Sequence, residues 1–168
     1  MGRTALAITT AGFVVLLLWQ GLTLPEAVPG HVGPGGEVTR WSTRVAHLVT
    51  GGITGATTAL IFWAGAGLIG KLPREFVNLP HKDYWLAPEH ESRTIRMLAN
   101  DLAWIGAATM SLLTWAFWEV GQIARGEQPS PLLAGVVIGA YLVGVIAWAI
   151  WIRVGPRWKP PTGAGRRA

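Results

Sequence analysis

The 168-residue chain contains no cysteine. That excludes a disulfide framework, thiol catalysis, iron–sulfur ligation and any cysteine-based zinc site. Charge is scarce as well. Asp, Glu, Lys and Arg make up 14% of the residues, where a soluble domain carries about 25%. No Gly-rich loop ends in Gly-Lys-Ser or Gly-Lys-Thr, and no His-Glu-x-x-His or Gly-x-Ser-x-Gly run occurs. The expectation is therefore a non-enzyme with no catalytic residues and no cofactor. Haem is excluded by the histidines, because His47 alone falls inside an apolar stretch while His31, His81 and His90 lie between them. The basic residues flank apolar stretches instead of forming a soluble basic domain, so nucleic acid is not an expected partner.

What is present is apolar. Hydrophobic residues reach 51%, with 22 Gly and 10 Trp, and mean hydropathy is +0.38. Gly is frequent in membrane helices and Trp gathers at their interfaces. Four long apolar stretches follow one another, over about 4–24, 45–70, 97–123 and 132–152. A helix of about 20 residues crosses a hydrocarbon core of about 30 Å. Helix is the expected state, since backbone polar groups find no water in lipid. A membrane barrel would show alternating segments of about ten residues. The expected fold is all-α: a polytopic four-transmembrane-helix bundle over 1–155, with a basic, disordered cytoplasmic tail over 156–168. A cleaved signal peptide is not expected, because Arg3 is the sole base before the first stretch and Pro25 stands where cleavage needs a small residue.

Basic residues orient the bundle. With a cytoplasmic N-terminus, eleven fall inside: Arg3, five in the 71–96 loop and five in the tail. Three fall outside: Arg40, Arg44 and Arg125. Both termini are expected to be cytoplasmic, in the inner membrane of a bacterium. Trp19, Trp41, Trp115 and Trp118 then sit near the outer face, and Trp85, Trp148, Trp151 and Trp158 near the inner one. Trp63 and Trp104 lie deeper and are expected to pack between helices.

Helix packing has its own signal. Gly51, Gly55 and Ala59 share one face of the second stretch, and Gly135 and Gly139 one face of the fourth. Small residues four apart let helix backbones approach closely. Packing inside the bundle and packing against another copy both fit.

Residues 24–41 form a loop rich in turn residues. Pro25 and Pro29 fix backbone angles, and Gly33, Gly35 and Gly36 can adopt positive φ. Ser42 or Thr43 is placed to cap the second helix. The run Leu-Pro-x-x-Val-Pro-x-His-x-Gly-x-x-Gly-x-x-x-x-Trp, directly after a first membrane helix, resembles the signature of the family catalogued as domain of unknown function 1648. The stretch Asn78-Leu79-Pro80-His81-Lys82-Asp83-Tyr84-Trp85-Leu86-Ala87-Pro88 is also similar to a segment of such proteins. The family comprises bacterial integral membrane proteins and overlaps the N-terminal part of immunity proteins of the sporulation-delay type. Val32 departs from the Phe or Tyr that usually follows the motif histidine. The resemblance implies a membrane protein without a settled biochemical activity. A sporulation-delay immunity protein would carry further spans, so that role is not carried over.

The candidate binding residues follow: His31, Gly33, Gly36 and Trp41 outside, and Asn78, Lys82, Asp83, Tyr84 and Trp85 inside. His31 either holds the turns of its own loop or, with His47 and Glu119, meets a divalent ion. The 71–96 loop, broken by Pro73, Pro80 and Pro88, either lies in the head-group zone with its aromatics down or docks a partner. Ser92 is placed to cap a lead into the third helix. Asp101 and Glu119 are the intramembrane carboxylates, which either pair with nearby arginines or handle a proton or ion.

Three functions are weighed. One is an accessory or sensing, immunity-like protein working through the outer loop. Another is a structural subunit of a larger membrane complex. The third is a homo-oligomeric ion or proton pathway. The expected partners are the lipid bilayer and another membrane protein or a second copy of the chain.

Overall fold

The computed structural model describes residues 1–161. Residues 162–168 lie outside that range, and with them most of the tail expected to be disordered. Among the described residues there are five α-helices and one two-stranded sheet. The helices are α1 (Gly2–Thr23), α2 (Arg44–Leu68), α3 (Lys82–Trp85), α4 (Pro88–Ala124) and α5 (Pro131–Val154). Helices α1, α2 and α5 are long and apolar enough to cross a membrane.

The all-α expectation is corrected by the loop after α1. Its strands β1 (Ala27–Val32) and β2 (Val38–Thr43) pair antiparallel. Val28 and Val32 precede Gly33-Pro34-Gly35-Gly36, and Val38, Thr39 and Thr43 follow it, which is a hairpin pattern. Pro29 is tolerated because each strand of a two-stranded sheet has a free edge. The register slips on either side of His31, Gly30 being the extra residue in β1 and Thr39 the extra one in β2. Of the three turn glycines, Gly36 alone takes positive φ, at 87°.

Local sequence accounts for the helix ends. Thr43 Oγ1 accepts from Ala46 N at 3.1 Å and caps α2, and Ser130 Oγ accepts from Leu133 N at 3.3 Å and caps α5. The lead into α4 starts earlier than expected. Pro88 takes the first helical position and Ser92 lies inside the helix.

Helix α4, about 55 Å long by its rise per residue, is the one on which α1 and α2 pack. Its buried face is made of small residues with one flexible filler: Ala99, Ala103, Gly106, Ala107 and Met110. Aromatic rings seat against glycines across the interfaces. A Cβ added at Gly55 would collide with Phe13, one at Gly51 would lie 2.7 Å from Phe117, and one at Gly106 would lie 2.7 Å from Phe62. Phe13 and Phe117 meet edge to face, with centroids 5.4 Å apart. The face formed by Gly51, Gly55 and Ala59 is thus buried inside the molecule.

Helix α5 differs. None of its residues is buried. A Cβ added at Gly135, Gly139 or Gly144 would meet nothing within 4 Å, so the small-residue stripe of α5 packs against no other helix among the described residues. Trp63 and Trp104 also depart from expectation. They are 39% and 50% exposed.

These contacts separate two glycines of equal sequence appearance. Gly55→Ala should lower stability in detergent by about 1–3 kcal/mol through overpacking against Phe13. Gly139→Ala should be neutral or stabilising by up to about 1 kcal/mol through restricted unfolded-chain freedom. Thermal melting of the two variants beside the parent checks both, and equal melting shifts would contradict the packing.

Candidate functional site

The candidate site residues fall at two ends of the molecule. Thr94 Oγ1 donates to the Trp85 carbonyl at 2.8 Å, whereas Val120 of the same helix lies beneath the hairpin. At 1.5 Å per residue these points are about 40 Å apart. The His31 and Trp85 groups therefore form two separate sites.

At the hairpin end the loop is tied at its root and across its strands. Arg44 Nη1 donates to the Leu24 carbonyl at 2.8 Å, and Arg44 N to the Glu26 carbonyl at 2.8 Å. His31 Nδ1 lies 2.6 Å from Thr39 Oγ1 on the facing strand. His31 thus meets a side chain of its own loop. Gly33 N donates to the Glu37 carbonyl and Gly36 N to the Gly33 carbonyl, closing the turn. Trp41 is 56% exposed on β2.

Beneath the hairpin, α1, α2 and α4 are joined by one polar cluster. Gln20 is fully buried in α1. Its Nε2 donates to the Phe117 carbonyl at 2.7 Å, and its Oε1 lies 3.0 Å from His47 Nε2. With the amide N–H given to Phe117, the amide oxygen is left to accept, so His47 donates through Nε2 and keeps Nδ1 as its acceptor. Nothing in the sequence reading singled out Gln20. The signal was there: it is the one amide side chain in α1, and a lone amide in an apolar helix needs a partner.

Two cavities flank the hairpin and share α4 residues Ala116 and Val120 as wall. One, of about 260 Å³, lies over α2 and takes Arg40, Ser42, His47 and Thr50 into its lining. The other, of about 520 Å³, lies between the hairpin turn, α4 and the start of α5, and takes Gly33, Gly36, Trp115 and Glu119. Among the described residues no three of His, Asp and Glu converge as metal ligands. His31, His47 and Glu119 are accordingly not brought together: His31 faces Thr39, His47 faces Gln20, and Glu119 lines the second cavity.

The opposite end is a latch. Asp101, 6% exposed, accepts from Arg157 Nη1 through both carboxylate oxygens at 2.9 and 3.0 Å. The expected partners of Asp101, Arg96 or a loop donor, are thus replaced by a tail residue. Trp158, 1% exposed, stacks edge to face on Trp85 with centroids 5.4 Å apart. Trp85 Nε1 donates to the Trp158 carbonyl at 2.8 Å. Residues 156–158 form a 3₁₀ turn, so the expected disordered tail begins with an ordered, buried segment. Tyr84 lies against His90 at 4.4 Å, while Asn78, Lys82 and Asp83 are exposed. Arg157 and Trp158 could not be singled out from sequence, since each looks like an ordinary interfacial residue.

Chemically, then, one end offers two cavities and the other a closed ion pair. Asp101 has both oxygens engaged, which leaves Glu119 of α4 facing open space. No protein-family model, curated protein or solved structure matches the chain.

The latch makes a quantitative prediction. Removing one partner leaves the other charge poorly solvated, and with Arg157 partly exposed the cost should be about 2 kcal/mol. Asp101→Asn and Arg157→Gln should each destabilise by that amount. Their combination should cost clearly less than the sum, in a double-mutant cycle on melting or denaturant curves. Additive losses would mean that the pair contributes nothing.

Proposed function

We propose that the chain is a non-enzymatic, multi-pass protein of a bacterial inner membrane. It acts in an accessory or sensing, immunity-like role through its hairpin at the outer face. In this reading α4 is a fourth span, and both termini and the 71–96 loop are cytoplasmic. Support for the fourth span comes from α4 accompanying α1 over its whole length, from Gly2 N donating to Asn100 Oδ1 at one end to Gln20 donating to Phe117 at the other. A helix buried between two others needs less apolar surface than one facing lipid, which fits Asn100, Asp101 and Glu119 in its sequence. Orientation rests on the eleven-to-three distribution of basic residues. Membership of the domain of unknown function 1648 family is part of the proposal, carried by the residues of the hairpin and of the 78–88 stretch.

The observation that carries the functional reading is the anchored hairpin. A loop held by Arg44 at its root, paired across its strands and roofing two cavities presents a fixed surface, and a fixed surface binds with little ordering cost. A second reading, a structural subunit of a larger complex, is favoured by α5, none of whose residues is buried.

Because the chain has no cysteine, single cysteines report sidedness directly. Glu37→Cys should react with a membrane-impermeant maleimide in intact cells, and Glu75→Cys only after permeabilisation. The reverse pattern would invert the topology. For function, loss of the protein should sensitise cells to envelope stress, and His31→Ala or Trp41→Ala, present at normal abundance, should fail to restore resistance. Full restoration by both variants would remove the hairpin from the mechanism.

A further inference from the structure

Glu119 is a half-buried carboxylate with no ion pair or hydrogen bond among the described residues. All three arginines at this end are committed elsewhere. Arg44 binds the Leu24 carbonyl and Glu26, and Arg40 reaches the Gly30 carbonyl at 3.5 Å. Arg125 binds Gln122 and lies over the Trp19 ring, 4.7 Å from its centroid. A carboxylate in low-polarity surroundings is costly without a counter-charge. The structure places this one in the wall of the 520 Å³ cavity, a volume within the range of small-molecule sites.

The cavity is built for something other than a bare ion. Trp115 and Glu119 are four residues apart on one face of α4, with Ile123 a turn further on, and all three line the space. Pro131 and Ile138 of α5 close the far side. The hairpin turn forms the roof: a Cβ added at Gly36 would lie 2.9 Å from Pro129, so turn and α4–α5 loop are in close contact. A metal ion would need several ligands, and no cluster of three acidic or histidine side chains exists among the described residues. Ser130, the hydroxyl in the lining, already accepts from Leu133 N.

One carboxylate, one indole and apolar walls match a weakly hydrated organic cation, whose hydrocarbon fills the walls while its charge meets Glu119 and the ring face. We propose that this cavity binds a lipophilic organic monocation, with Glu119 as its counter-charge and Trp115 as its aromatic wall. The inference rests on the hairpin end being the working end and names the ligand class that end takes.

The probe is tetraphenylphosphonium, permanently charged and unable to donate a hydrogen bond. Equilibrium dialysis of the purified full chain in mild detergent should show saturable binding that neutral triphenylphosphine oxide does not displace. Glu119→Gln should weaken it at least about tenfold, the loss expected of one desolvated charge pair. Trp115→Leu should weaken it about threefold. Gly135→Leu tests the site without touching the charge. Its new side chain would grow into the cavity from α5, where a Cβ meets nothing within 4 Å, and should abolish binding with unchanged melting. Absence of saturable binding, equal displacement by the neutral analogue, or parental affinity in both Glu119→Gln and Gly135→Leu would each overturn the proposal. The two readings fail separately. Silent His31 and Trp41 variants would remove the hairpin role while phosphonium binding stood, and the converse would remove the cation site alone.

Discussion

Phe13 occupies the space that Gly55 leaves open, and much of the structure depends on that contact. In lipid there is no hydrophobic force to press helices together, so close packing must supply the attraction. Glycines on α2 and α4 let the backbones approach, and the rings of Phe13, Phe62 and Phe117 fill what remains. The approach is close enough that Gln20 can reach a carbonyl on α4 and a histidine on α2 at once. One amide thereby joins three helices and sets the floor on which the hairpin rests. Ala116 and Val120 of α4 form the wall that the two cavities share.

Helix α5 is held on different terms. It buries none of its own residues and is attached through discrete polar contacts. Tyr141 meets Thr109 at 2.8 Å midway, and the segment after α5 is fastened by the Arg157–Asp101 pair and the Trp85–Trp158 contact. A helix fixed this way is positioned without being packed. That explains how space survives between α4 and the start of α5, where Glu119 faces an open volume. Dense packing there would have filled the cavity, and an ion-pair partner would have closed off the carboxylate as Arg157 closes off Asp101.

Helices α1, α2 and α5 were legible because each is a long apolar run bounded by its own punctuation: Pro25 after α1, Thr43 before α2, Ser130-Pro131 before α5. The hairpin was legible in part. Pro and Gly at 29–36 announced a fixed loop, but the pairing of the residues on either side depends on contacts across the turn that no single stretch displays. The two glycine stripes read alike, yet one is buried and the other open, since spacing along a helix says nothing about what lies opposite. The same limit applied to Asp101. Its local sequence offered Arg96 five residues away, and the partner it found lies 56 residues on.

Sequence alone determined that this chain is apolar, helical and suited to a membrane, and roughly where α1, α2 and α5 run, because hydropathy and capping are local properties. It also determined the sign of each charge and the stiffness of the loop. Only the tertiary structure decided which carboxylate is neutralised and which is left facing a cavity. That choice depends on a tail arginine folding back to α4 while three others at the far end turn to carbonyls, an amide, a ring and Glu26. Such choices are made by distances across the fold, and distance across a fold is not written in the order of residues.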